Sequence, residues 1–359
     1  MLRLSDDRGA IAVVTAVLGS AVLLACAAIA VDVGALYTER RQLQNGADAA
    51  AISVAQSCAR GPCDILSAKS LAAELAGGNA VDGAADVPVV CGTALDVACL
   101  PSPESRASCD PVPTDPPRYV EVRTRTRNPD GSGVVAPFFA RAIPGNEDYA
   151  GTTVGACARA AYGSPKSAFS ILPVTVAQCV VNLYRAEHGG FAPWSLSGSS
   201  PSTLGQWDTE IELHQDTGPC STSSSGQNAP GNFGFLASSA CSATTTLDAT
   251  QQGSTGNTNP KTLGCTDSYL GSLLGKVAYI PVFDTVTSGG NYHVVGYAAF
   301  LFTGWQLSGT SHDSIATGEL PCKKPTTCVS GVFLRGLQPT PGPIGPALDY
   351  GATVVQLID

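Results

Sequence analysis

From Ala10 to Val31 the chain reads AIAVVTAVLGSAVLLACAAIAV, 22 residues without a charge. At about 1.5 Å of rise per residue, a helix of that length crosses a hydrocarbon layer of roughly 30 Å. The pattern then changes without a break. Val31 to Ala55 is polar and alanine-rich, holds no proline and keeps helical spacing, so one helix is predicted to start in a membrane and rise out of it as a stalk. On the stalk, Leu36, Leu43, Ala47, Ala50 and Val54 recur at steps of seven, four, three and four and share one face. That face is small and weakly apolar, which predicts close packing against another helix, a partner's or that of a second copy, rather than a monomer's core. Gly19 and Ser20 allow the same close approach inside the membrane. On this reading, glutamate at Ala47 and Ala50 removes a partner contact and leaves the outer region folded.

Beyond the stalk the pattern shortens. Ala68 to Leu75 reads as a helix fragment, and Pro101 to Pro117 (PSPESRASCDPVPTDPP) as an extended linker. In RYVEVRTRTR, Arg118 to Arg127, charged and aliphatic residues alternate, which predicts a strand with one solvated face. Ala136 to Ile143 (APFFARAI) reads as a helical turn or two, and Thr152 to Gly163 alternates again. From Pro165 onward, β-like runs alternate with Ser/Thr/Gly/Asn loops. Lys276 to Asp284 and Asn291 to Leu307 are the strongest strands, joined as a hairpin through TVTSGG, with more strands at Gly331 to Gly336 and Ala352 to Ile358. The fold class is α+β: a transmembrane and stalk helix, then a disulfide-rich, β-rich extracytoplasmic region. The expected divisions are 1–60 (anchor and stalk), 61–117 (Cys/Pro-rich linker), 118–163 (small α+β unit) and 164–359 (outer domain). Tyr37 is the only aromatic residue before Tyr119, so the first 118 residues are not expected to hold a substantial core.

A secretory signal peptide has a shorter apolar stretch and a small-residue cleavage site. Here the run is longer and a helical pattern succeeds it. Cys26 is followed by further apolar residues, unlike a lipoprotein cysteine. The run is therefore read as an uncleaved single-pass anchor. Arg3 and Arg8 before it balance Arg40 and Arg41 after it, so charge does not orient it. The cysteines do. Of 13, all but Cys26 come after the span: Cys58, Cys63, Cys91, Cys99, Cys109, Cys157, Cys179, Cys220, Cys241, Cys265, Cys322 and Cys328. An even, dispersed set implies a disulfide framework of up to six bridges in an oxidising compartment, with pairing open. The spacings lack the paired C-x2-C of zinc sites. The N-terminus is then cytoplasmic and the rest extracytoplasmic.

Net charge −9 with no basic cluster excludes nucleic acid. No nucleotide-binding glycine loop, HExxH or G-x-S-x-G is present, and His188, His214, His293 and His312 are scattered. Asp216-Thr217-Gly218 matches the aspartic-protease triplet but has no second copy, and Asp284-Thr285-Val286-Thr287-Ser288 departs from an adhesion-site motif at Val286. Both read as turns. No enzyme activity, cofactor or metal is expected.

The N-terminal region resembles the TadE/TadG-like proteins of Flp (Tad) pilus assembly. The matching elements are Arg8-Gly9 before the span, Val31-Asp32-x-Gly34 at its end, Tyr37, Arg40-Arg41, Leu43-Gln44 and the Ala47-Asp48-Ala49-Ala50-Ala51 run. The resemblance covers about the first 57 residues, and the strand–FFAR–strand segment resembles the region after the stalk in TadG-like relatives. It implies a structural or assembly protein of the bacterial envelope, with pilins or other pilus-assembly membrane proteins and the lipid bilayer as partners. The alternatives are a surface adhesin or ligand-binding module and, further off, a tethered hydrolase. There are two departures. Val14 stands where TadE-type pseudopilins carry the glutamate five residues after the processing glycine, so the mature chain is expected to keep Arg8-Gly9. The von Willebrand A domain of many TadG-like proteins is not evident.

Overall fold

The computed structural model describes residues 8–101, 107, 109, 111, 118–142, 145–213, 220, 233–254, 259–287, 290–339 and 342–358. His214, Asp216-Thr217-Gly218, the Ser221–Ser225 loop and most of the Pro101–Pro117 stretch lie outside them.

The apolar run and the stalk form one 53-residue helix, α1 (Arg8–Arg60). Its first part, Ile11 to Ala27, is exposed along its whole surface; its last third is buried on one face. After a short turn, α2 (Ile65–Asn79) folds back along α1. Asp64 caps α2, its carboxylate accepting from Leu66 N and Ser67 N, and the Cys58–Cys63 bridge spans the turn. The two helices pack through small residues. A Cβ at Gly46 would lie 3.1 Å from Ala76 Cα, and Ala68, Ala72 and Ala76 are buried in the same seam.

The remaining elements that position the site are eleven strands and one helix. In the first part of the chain they are β1 (Ala85–Cys91), β2 (Arg118–Thr126), β3 (Gly155–Gly163), β4 (Val174–Ala177), α3 (Gln178–His188), β5 (Thr209–Glu212) and β6 (Phe233–Phe235). After them come β7 (Val277–Val286), β8 (Tyr292–Leu307), β9 (Cys328–Leu334), β10 (Gly336–Leu337) and β11 (Ala352–Leu357). One sheet has the order β1-β2-β3-β11-β10 and the other contains β5-β9-β8-β7-β4-β6. The C-terminal strand β11 pairs antiparallel with β3, Val354 opposite Gly163, so the first sheet draws on both ends of the chain. Residues 61–117 are accordingly more than a linker, supplying α2 and β1. The 118–163 strands are the centre of a larger sheet rather than a unit of their own.

The first 118 residues also contribute to a core, contrary to expectation. Leu43, Ala47, Ala50 and Val54 are at most 2% exposed. The three α1 positions after Leu43 cluster with Val120 and Val122 of β2 and Ala158 and Ala160 of β3. Thr124 Oγ donates to Leu43 O across the same contact, at 3.0 Å. The stalk face expected to meet a partner is thus covered by the chain's own sheet. The reason is that alanine on the helix faces alanine and valine on the sheet, so backbones approach closely and an aromatic-poor segment still excludes water.

The outer sheet agrees with the hairpin expectation. β7 and β8 are antiparallel, with Val286 opposite Tyr292. β8 is apolar almost throughout because both its faces are covered. Phe300 and Phe302 face α3 and the Asp267–Leu273 helix, while Tyr297, Ala299 and Leu301 pack on Leu196, Leu204 and Ala352. Between Ser167 and Val181 the chain is extended at Ser167–Ser170 and Val174–Ala177 and then turns helical. Val180 and Val181 belong to α3, whose buried Val181 and Tyr184 are three apart and which ends at Gly189 with φ +70°.

The described cysteines form six bridges: 58–63, 91–99, 109–157, 179–220, 241–265 and 322–328. Cys26 is free and exposed on α1. Thiol titration of the unreduced, denatured chain is expected to find a single free thiol. Reduction should lower the unfolding midpoint, since losing a native bridge typically costs about 2–5 kcal/mol. Several free thiols would contradict this pairing.

Candidate functional site

The residues singled out by sequence at the outer end of the apolar run fall at two joints along α1. At the first, Asp32 receives the backbone of the Pro137–Ala142 segment. Its Oδ1 accepts from Phe138 N at 2.7 Å and Phe139 N at 3.1 Å, and its Oδ2 from Phe139 N at 3.2 Å and Ala140 N at 2.7 Å. Three successive N–H groups converging on a carboxylate form an anion-binding concavity, and charge-assisted bonds of this kind are the stronger ones. The expected helical turn in APFFARAI is the short 3-10 helix Ala140–Ala142 at the end of this cradle. The base of the segment is closed by Val135 and Thr152, whose backbones pair. There Gly151 has φ +117°, and a Cβ would lie 2.2 Å from Val135 O, so only glycine fits.

At the second joint, Gln44 Nε2 donates to Asp48 Oδ1 at 2.8 Å and to Cys157 O at 2.9 Å. This ties α1 to β3 beside the Cys109–Cys157 bridge. Between the joints, Tyr37 is exposed and Arg41 folds back over it, guanidinium carbon 4.4 Å from the ring centre and Nη2 2.9 Å from the hydroxyl. Gly34 has open space around it and accepts from Thr38 Oγ through its carbonyl. Of the packing positions expected from sequence, Gly19 has nothing within 4 Å of where its Cβ would be, and Ser20 bonds only back to Val17 O. Leu36 is half-buried beside the Asp32 joint.

The face of the first sheet turned away from α1 holds a feature that alternation concealed. Glu121 is 2% exposed. Its Oε1 accepts from Arg123 at 2.7 and 2.8 Å and its Oε2 from Arg159 at 2.6 and 3.2 Å. Register places Glu121 directly opposite Arg159. The predicted solvated face of β2 is therefore buried. The Cys91–Cys99 and Cys109–Cys157 bridges lie against it, Arg123 donates to Leu100 O, and the Arg159 guanidinium lies 5.4 Å from the Tyr119 ring centre. Sulfurs of both bridges sit within 4.8 Å of the Glu121 carboxylate, but as disulfides they offer no thiolate to a metal. The signal that was available is the opposite charge at 121 and 159. What hid it is that pairing register is not visible in a single strand.

The histidines among the described residues are used structurally. His188 stacks between Tyr184 and Trp207, His312 stacks on Trp305, and His293 Nδ1 lies 2.8 Å from Asp284 Oδ1 on the exposed hairpin. Asp208 is a half-buried acid just before β5. Burial pushes its carboxyl above the usual range, and hydroxyls of Thr303 and Ser314 donating to it pull the other way.

This arrangement is that of an apolar helix continuous with a helix built into a disulfide-stapled α+β domain. Residues 9–57 match the model of the Tad family, described as Flp pilus-assembly TadE/G-like. The match spans most of α1, including Asp32, Gly34, Tyr37, Gln44 and Asp48, and supports a role in pilus assembly. No curated protein and no solved structure matches the chain.

Proposed function

We propose that this chain is a non-enzymatic, single-pass membrane protein of the Tad pilus-assembly machinery, with its N-terminus cytoplasmic and its two sheets outside. The observation that supports it is the continuity of α1. One helix is long and apolar enough to cross a membrane at one end and is built into the core of a folded domain at the other. A rigid joint of that kind transmits position between a membrane partner and the outer domain. With Leu43, Ala47, Ala50 and Val54 covered from within, the surface left for a pilin, another assembly protein or a second copy is the exposed membrane part around Gly19, Ser20 and the free Cys26. Close helix approach there needs small residues, and Gly19 and Ser20 supply them.

Orientation is tested with a membrane-impermeant amine reagent. Every lysine lies beyond α1, and Lys69, Lys276 and Lys323 are exposed. On spheroplasts these are expected to label as they do after lysis, and labelling only after lysis would reverse the orientation. The packing role is tested by exchanging Ala10–Val31 for an unrelated apolar span. Loss of pili, with the anchor and the disulfides intact, is expected. Pili assembled as before would make the helix a tether only.

A further inference from the structure

The Pro137–Phe139 segment has a property that tethering does not require. Phe138 is 71% exposed and Phe139 47%, next to each other and beside the exposed Ile29 and Val33 of α1. Between this segment and α1 runs an open groove of roughly 720 Å³, walled by Leu24, Ala28, Ile29, Leu36, Phe139 and Tyr149 among others, and apolar along its length. Asp32 marks its depth. It stands directly after the last residue of the uncharged run, and Leu24 is eight residues further in, about 12 Å along the axis. Half of a hydrocarbon core is about 15 Å. The groove therefore straddles the end of the apolar span, with Leu36 four residues beyond Asp32 and Leu24 eight before it, and its inner part descends into one leaflet beside a helix that nothing else among the described residues covers.

We propose that the Pro137–Phe139 loop is a second membrane contact, with Phe138 and Phe139 embedded in the extracytoplasmic leaflet and a lipid acyl chain lying in the groove against α1. The inference rests on the reading of α1 as a membrane span. Phenylalanine rings are wholly apolar and favour the tails, while the amphipathic ring of Tyr149 on the groove wall suits the headgroup boundary above them. The chemistry of the joint fits the location. A carboxylate at the edge of the hydrocarbon layer is tolerated when its charge is fully hydrogen-bonded, and the three loop N–H groups that Asp32 receives would themselves be unsatisfied in lipid without it. Asp32 is thus the positioning residue that holds the aromatic loop at membrane depth. Just above, Arg41 turns back toward the membrane over Tyr37, as long cations near a span end do. Arg141 is on the loop with Glu147 and Asp148 nearby, so the contact is apolar insertion and carries no preference for headgroup charge.

The test uses the full chain in nanodiscs of phosphatidylcholine brominated at defined acyl positions. Trp305 lies on β8, Trp194 and Trp207 pack against the core of the same sheet, and the three give a constant background. Phe138→Trp is expected to emit at shorter wavelength than an exposed indole and to be quenched several-fold by bromine high in the tails. Val22→Trp, inside the span, is expected to be quenched most by bromine deep in the tails. Asp32→Ala added to Phe138→Trp should reverse most of that quenching. A water-like, unquenched Phe138→Trp beside a quenched Val22→Trp overturns the loop contact and leaves the span. Both unquenched overturns the span, and the proposal with it. A blue-shifted but unquenched Phe138→Trp means protein, not lipid, covers the loop, which also overturns it. Quenching unchanged by Asp32→Ala would overturn the assignment of Asp32.

Discussion

Glutamate at Ala47 and Ala50 is expected to unfold the first sheet, not to release a partner from an intact protein. Both alanines are fully buried between α1 and the sheet. Each change adds heavy atoms to a close-packed seam and strands a carboxylate with no partner. Overpacking and burial of an unpaired charge together should cost at least about 3 kcal/mol per site. Hydrogen exchange reads the result by region. Protection should fall in Ala85–Cys91, Arg118–Thr126 and Gly155–Gly163, while the β7–β8 hairpin, which has its own core, keeps it. Asn45→Glu on the exposed side of the same helix should change stability by less than about 0.5 kcal/mol. Unchanged exchange in the double variant, with a partner crosslink lost, would show that the face is free for a partner after all.

Glu121→Ala is expected to be as damaging, for a different reason. Arg123 and Arg159 are 5% and 3% exposed and both are held by this carboxylate. Removing it leaves two guanidinium groups facing each other in a space with little water, and breaking a buried ion pair this way costs about 3–5 kcal/mol. The informative comparison is a triple variant, Glu121→Leu with Arg123→Met and Arg159→Met, which removes all three charges and keeps the volume. It should regain most of the loss, since well-packed apolar replacements of buried ion clusters are often neutral or better. Chemical denaturation of the three proteins in the same detergent decides it. A triple variant as unstable as Glu121→Ala would mean that hydrogen bonds such as Arg123 to Leu100 O, and not charge balance, stabilise this face of the sheet.

The long apolar helix was legible in the sequence from an uncharged run of 22 residues at helical spacing, and its continuation from the absence of a helix breaker after it. The sequence also determined the β7–β8 hairpin through two apolar runs around a turn, and the use of the cysteines through their even number on one side of the span. The Tad resemblance of residues 9–57 was legible from residue order alone. Only the tertiary structure decided what the alanine face of α1 packs against. A stripe such as Leu43, Ala47, Ala50 and Val54 states that something small and apolar lies opposite, but not whether it is another chain or a sheet 70 to 110 residues away. It also decided that the arginine face of β2 is interior, since burial of a strand's second face depends on distant contacts, here the Leu100 carbonyl and two disulfides, that alternation does not encode. The same holds for Asp32. Its place at the end of the apolar run was visible, but the backbone of Phe138 to Ala140 that satisfies it is brought there by the Val135–Thr152 closure and the sheet beneath. Local pattern fixes which groups need partners, and only the fold brings distant partners within hydrogen-bonding range.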